Sequence, residues 1–303
     1  MALAIRTPLV RLSNLFSNRR VYAKCEYVAP GGSFKIRGTE HLLDHLLRTG
    51  GSRQLVVPSM GNTALGAAFG CKAMGFSMVG VVPQTISKAK DEKLQALGVE
   101  LIKIAGGGSE LLHRAKQIAQ ERGGYFVHPH LDPQWTDGYQ SIVNEVLQAV
   151  PDCKSIIFPV GGGGLLMGLT ERLLSNPTLI ELYGCEAYNF PTYARYDHAR
   201  SKTIADGLML DDPHPKVQQR IEELGIPIHL VHEAAIQAAM RDLFYEQGLV
   251  VEPSSAITFA FAREHLSELA DPVCMILTGE NITQEDFLRL IAVASNNTPR
   301  GPN

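Results

Sequence analysis

Gly32-Ser33-Phe34-Lys35-Ile36-Arg37-Gly38, taken with Pro159-Val160-Gly161-Gly162-Gly163-Gly164-Leu165 further along, decides how this chain is understood. The first stretch sets one amine just after a turn of small residues, Pro30-Gly31-Gly32-Ser33, and ahead of a helix-forming run. Lys35 therefore falls near a helix N-terminus, where the positive end of the dipole and poor solvation disfavour a charged ammonium. A free amine there can form an imine; the plainer alternative is a solvated lysine that opens a helix. The second stretch follows the apolar run Ser155–Val160 and precedes a helix beginning near Leu165. Glycines there let several N–H groups converge on one anion, and the helix dipole adds to the attraction. A dinucleotide fingerprint fails on spacing, since Met167 or Leu166 stands where the third glycine is required. A turn without a ligand is the remaining alternative.

An imine-forming amine and a phosphate cradle in one chain are what is needed to hold pyridoxal 5'-phosphate at its aldehyde and at its tail. Three further stretches bear on that expectation. Ser59-Met60-Gly61-Asn62-Thr63 follows the strand-like Leu55–Val57 and leads into the small-residue helix Ala64, Gly66, Ala67, Ala68 and Gly70, suited to packing closely on a sheet. Such a polar helix start can grip a carboxylate, although the same residue types are ordinary N-caps. Thr278-Gly279-Glu280-Asn281 follows Val273–Leu277, where a hydroxyl by itself reads as a turn. His128-Pro129-His130 reads as a loop rather than a metal site, and no metal is assigned to Glu186 with Asn189 and Asp197.

Working outward, short β-branched runs alternate with helical patterns such as Leu42, Leu43, Leu46, Leu47, ending at Gly50-Gly51, and Leu165, Leu166, Leu169, Leu173. Expected strands are 55–57, 78–82, 101–104, 125–127, 155–160, 182–185, 228–231 and 273–277. The fold class is α/β: two lobes, each a mostly parallel twisted sheet flanked by helices. The expected division puts residues 1–51 plus 132–303 in a large cofactor-binding domain and 52–131 in a small inserted one, with Ser295–Asn303 a fraying tail. The 303 residues are 45% hydrophobic and 19% charged, with net charge −3, which excludes the basic footprint of a nucleic-acid or acidic-membrane binder. Cys25, Cys71, Cys153, Cys185 and Cys274 show no paired spacing and read as buried thiols. Met1–Ile5 is too short for a signal peptide and no run is long enough to span a membrane, so a cytoplasmic protein with a small-molecule partner is expected.

These motifs, in this order from Thr7-Pro8-Leu9 to Asn281, resemble the fold-type II pyridoxal phosphate enzymes, the tryptophan synthase β-like superfamily. The resemblance implies that Lys35 is the Schiff-base lysine, with Phe34 beside the cofactor ring. It implies that Asn62 meets the 3′-oxygen, that Gly161, Gly162, Gly163, Gly164 and Leu165 hold the phosphate, and that Thr278 pairs with the pyridine nitrogen. Ser59, Met60, Gly61, Asn62, Thr63 and Gly207 would contact the substrate, and a homodimer is implied. Ser33–Gly38, Pro159–Leu165, Thr203–Gly207, Val251-Glu252-Pro253, and His128-Pro129 with Asp132-Pro133 look like threonine dehydratase. Gly61-Asn62-Thr63 and Lys93–Gly98 look like cysteine synthase or threonine synthase. Met60 stands where serine racemases carry a hydroxyl, so efficient racemisation is not expected; Phe190 and Thr192 stand where their metal ligands would be.

A neutral hydroxyl at Thr278 would not keep the pyridine nitrogen protonated, so the carbanion at Cα gains by expelling a β-substituent promptly. The expected reaction is β-elimination on a serine- or threonine-like amino acid, giving a 2-oxo acid and ammonia. β-Replacement on an O-activated serine, of the cysteine synthase or diaminopropionate synthase kind, is the alternative, and a non-catalytic or nucleotide-binding α/β protein using the glycine loop alone is the rival outside the class.

Overall fold

The alternation of short β-branched runs and helical patterns folds, in the computed structural model, into two parallel-rich α/β units; the structure describes residues 6–16, 18–175 and 179–292. In chain order the strands are β1 (Leu9–Arg11), β2 (Val21–Cys25), β3 (Gln54–Val57), β4 (Ser77–Pro83), β5 (Glu100–Ile104), β6 (Tyr125–Phe126), β7 (Ser155–Pro159), β8 (Glu181–Ala187), β9 (Ile228–Val231) and β10 (Val273–Leu277). The helices are α1 (Lys35–Thr49), α2 (Asn62–Met74), α3 (Lys88–Ala96), α4 (Gly108–Arg122), α5 (Pro133–Thr136), α6 (Gln140–Ala149), α7 (Gly164–Ser175), α8 (Pro215–Leu224), α9 (Glu233–Gln247), α10 (Pro253–His265) and α11 (Gln284–Ala292).

One unit comprises Met1–Pro8, Glu26–Ala149 and Gly162–Thr178. Its sheet runs β5-β4-β3-β6, all parallel. The chain steps from β3 out to β4 and β5, then returns to place β6 on the other side of β3. That reversal opens a crevice at the strands' carboxyl ends, where open α/β sheets bind ligands. The loops leaving β3 and β6 there carry Ser59–Gly61 and His128–His130. Val56, Val79 and Val81 close the core against Ala115, Ile118 and Ala119 of α4.

α2 lies on β3 and β4 as expected, and its small residues have a second use. Its glycine edge receives α1: a Cβ on Gly66 would lie 2.9 Å from Lys35 Cβ, and one on Gly70 would lie 2.4 Å from Thr39 Cγ2. The turn before α1 closes through Gly31 (φ 83°) and Gly32 (φ 71°), a left-handed pair that a side chain would strain. Its far end is the expected glycine cap, Gly50, at φ 68°.

The other unit comprises Leu9–Cys25, Val150–Gly161 and Leu179–Asn303. Its sheet runs β1-β2-β10-β7-β8-β9, with only β1 and β2 antiparallel. The order again reverses, because β8 and β9 lie to one side of β7 while β10 returns to the other. β10 is buried along its whole length, and α10 is buried from Pro253 to Ala262. An apolar helix of that kind belongs in a core, and α10 lies on β10, β7 and β8.

Two features depart from the sequence expectation. β1 and β2 are additions: β1 has only three residues, and β2 carries Lys24, 1% exposed, in a run that otherwise reads as apolar. The compact units are also drawn differently from the expected 52–131 insertion. The four strands of the smaller sheet do fall inside that segment, but α1 and α5 to α7 group with them because α1 is seated on α2. The expected tail, Ser295–Asn303, lies outside the described residues. Among the described residues no helix is long and apolar enough to cross a membrane.

Candidate active site

Lys35 is the first residue of α1, as its neighbours in sequence imply, and it is half-buried. Its Nζ lies 4.8 Å from the centre of the Phe34 ring and 5.9 Å from that of Tyr139, and the two rings are 4.8 Å apart. Tyr139 is fully buried and accepts a hydrogen bond from Trp135 Nε1 at 2.5 Å; burial holds its phenol well above the usual range, so it stays neutral. The amine thus faces an aromatic wall.

The first turn of α1 is fixed from three sides. Gly66 meets it from α2, and Gly138 lies so close that a Cβ there would be 2.3 Å from the Arg37 carbonyl oxygen. The third fixture is a buried ion cluster. Arg37 Nε donates to Glu26 Oε2 at 2.6 Å and Nη1 donates to Glu145 Oε1 at 2.7 Å, with further donation to Ser141 Oγ and Thr7 Oγ1. Burial works against the guanidinium's charge, but Glu145 and Glu26 outweigh it and hold its pKa above the ordinary value. Such a pair adds little net stability yet is costly to break, because one charge would be left alone.

Asn62 opens α2 behind Gly61, whose φ of −106° and ψ of −150° make it the N-cap. Gly66, in close contact with Lys35, is one helical turn further on, so Lys35 lies about one turn of α2 from Asn62. Ser59 Oγ accepts from the Gly61 N–H at 3.3 Å, shaping the loop from inside. Met60 stands out of it, 37% exposed, while Thr63 is buried beneath, 5% exposed.

Gly162, Gly163 and Gly164 lead into α7, and Leu165 lies in its first turn, where N–H groups have no partner within the helix. Gly163 needs to be glycine on account of its φ of 84°. Gly162 needs to be glycine for another reason: a Cβ there would sit 2.1 Å from His130 Nδ1. α7 is tied to the lysine side by Gly168, where a Cβ would be 2.7 Å from Tyr139 Cβ.

Gly161, Gly207 and Thr278 belong to the other unit. A Cβ on Gly161 would lie 3.0 Å from Leu208 Cα and 3.1 Å from the Gly207 carbonyl oxygen, so the two predicted glycines touch. The Gly207 N–H donates to Ser254 Oγ at 3.1 Å, and the Glu252 N–H donates to the Gly279 carbonyl at 3.0 Å. Thr278, 3% exposed, follows β10, the neighbour of β7 at the point where the strand order reverses.

Glu186, weighed as a cation ligand, takes N–H donors instead: Thr192 to Oε2 at 2.9 Å, Tyr193 to Oε1 at 3.0 Å, and Ala194 to Oε2 at 3.1 Å. Burial pushes its pKa up, against the pull of these three donors.

The residues fit pyridoxal phosphate. Ser33 Oγ, two residues from Lys35, is wholly buried and has no hydrogen-bond partner among the described residues, which suits a wall that meets a polar group. Lys35 offers the amine, and the first turn of α7 offers N–H groups for the phosphate. Sequence reasoning missed Tyr139, Gly66, Ser254 and the contact of His130, because each acts through a neighbour distant in the chain.

Residues 2–279 match the family described as pyridoxal-phosphate dependent enzyme, and the chain belongs to it. It is 31% identical over 265 residues to the catabolic L-threonine dehydratase of Staphylococcus aureus, covering 84% of this chain and 77% of that one. It is 30% identical over 289 residues to the L-threonine ammonia-lyase of Geobacter sulfurreducens, covering 91% and 71%. The processed form of threonine deaminase isoform 2 from Solanum lycopersicum superposes with a TM-score of 0.86 at 24% identity, over 97% of this chain and 85% of that one, and shows the same fold.

Proposed function

We propose that this chain catalyses β-elimination on a serine- or threonine-like amino acid, giving a 2-oxo acid and ammonia. The observation that carries the reading is the Lys35 amine, held on an aromatic wall at the head of α1, in a chain about 30% identical to a dehydratase and an ammonia-lyase. Pyridoxal phosphate, when bound, supplies the sink for the electron pair left on Cα.

The N–H groups of Gly161 to Gly164 and Leu165 would hold the phosphate, Phe34 would lie beside the ring, Asn62 would meet its 3′-oxygen, and Thr278 would offer a neutral hydroxyl to its nitrogen. Ser59, Met60, Gly61, Asn62 and Thr63 orient the substrate carboxylate at the start of α2, with Gly207 as a further contact. Lys35 Nζ takes the proton from Cα. The β-substituent leaves with a proton, and water hydrolyses the released enamine to the oxo acid and ammonia. Met60 carries no exchangeable proton, so return of a proton to the opposite face of Cα is slow and racemisation is minor.

β-Replacement is the second reading, favoured by Asn62-Thr63. Ammonia release from serine, threonine and O-acetylserine, with and without an added thiol, separates the two. Elimination predicts ammonia from serine or threonine at a rate indifferent to thiol. A thioether product, with no ammonia in its absence, would establish replacement instead. The same reading makes the protein a cytoplasmic homodimer. Five buried thiols in no disulfide support the compartment, and sedimentation measures the assembly.

A further inference from the structure

His130 lies where the family's phosphate loop is made, and it follows β6 at the edge of the sheet where strand order reverses. Its own N–H donates to His128 Nδ1 at 3.3 Å, a turn that fixes where residue 130 points. Its ring lies flat against Gly162: a Cβ on that glycine would be 2.1 Å from Nδ1, 2.2 Å from Cγ and 2.3 Å from Cε1. The same residue's carbonyl oxygen and Cα would be 3.3 and 3.4 Å from a Cβ on Gly164. No side chain larger than hydrogen is compatible with this ring at position 162. Because Gly162 is not among the left-handed glycines, the ring rather than the backbone conformation accounts for its identity. Glycine and imidazole are thus a matched pair, and the pairing lays a half-buried ring that carries hydrogen-bonding nitrogens on the backbone that opens α7.

We propose that His130 is a cofactor-contacting residue whose imidazole hydrogen-bonds the phosphate ester of pyridoxal phosphate beside the N–H groups of Gly162 to Leu165. A spacer would be served equally well by any flat ring; a hydrogen-bonding partner would not. The inference rests on the cofactor and is independent of the choice between elimination and replacement.

The full chain, stripped of cofactor, is titrated with pyridoxal phosphate and, separately, with pyridoxal, which lacks the phosphate, following the visible band. For His130→Phe the affinity for pyridoxal phosphate is expected to fall roughly tenfold while that for pyridoxal changes less than about twofold. His130→Gln, which can still donate, is expected to recover most of the loss. Equal weakening of both ligands, or of neither, would reduce His130 to a spacer and overturn the proposal. Should the variants fail to fold, the wild-type protein labelled with nitrogen-15 in its histidines still decides. The His130 ring resonances should shift with pyridoxal phosphate and stay in place with pyridoxal, and an identical response to both contradicts the assignment. A wild-type chain that takes up neither ligand would remove the cofactor reading itself, an outcome distinct from failure at His130.

Discussion

Lys35 is positioned by residues that have almost no side chain of their own. Gly66 lets α1 approach α2 until Lys35 Cβ and backbone carbon would be 2.9 and 3.1 Å from an added methyl. Backbone cannot yield as a flexible side chain can, so Gly66→Ala is expected to cost about 1–3 kcal/mol and to weaken the cofactor's visible band. Wild-type melting and an unchanged band in that variant would show that the contact is slack. Two residues beyond the lysine, Arg37 ties the same turn to Glu26 and Glu145. Arg37→Met removes the guanidinium shared by the buried Glu26 and the partly buried Glu145, and urea unfolding should show a loss of about 3–5 kcal/mol. Lys35, Asn62 and the glycine run stood out in the sequence because each motif is local. Tyr139, Gly66 and His130 did not, because their meaning comes from contacts across the fold.

Among the elements, eight strands were legible from β-branched runs with turn residues on either side. β2 was not, since Lys24 breaks its pattern. Glu186 is the last residue but one of β8, and three N–H dipoles direct their positive ends at its carboxylate. A cation would face those same positive ends, so a chelator or added magnesium is expected to leave the melting temperature unchanged; a chelator-induced fall would contradict this. β8, β9 and α10 also gather Tyr183, His229, Phe261 and His265, with His265 Nδ1 3.1 Å from Glu268 Oε1. Burial first, and then His265, lowers the His229 pKa below 6.5. A group with a depressed folded pKa gives stability above its unfolded value and loses it as pH falls through the folded one. Melting temperature should therefore decline as pH falls below about 6.5, and His229→Phe should flatten that slope. An identical slope in the variant would place the acid sensitivity elsewhere.

At the scale of the whole molecule, the α/β class, the parallel sheets and the family were legible, because the motif order from Thr7 to Asn281 spans nearly the chain. The grouping into units was not, because the residues that join α1 and α7 to the smaller sheet are glycines at positions 66, 138 and 168. These carry no hydrophobic pattern, and only the structure shows what they touch. The family fixes the cofactor, and the claim on which the rest depends is that it is held on one amine. Borohydride reduction of the holoenzyme, followed by peptide mapping, measures this directly. The account predicts a stable pyridoxyl label on Lys35 and none in Lys35→Ala; a label on another lysine, or one that persists in the variant, would contradict it.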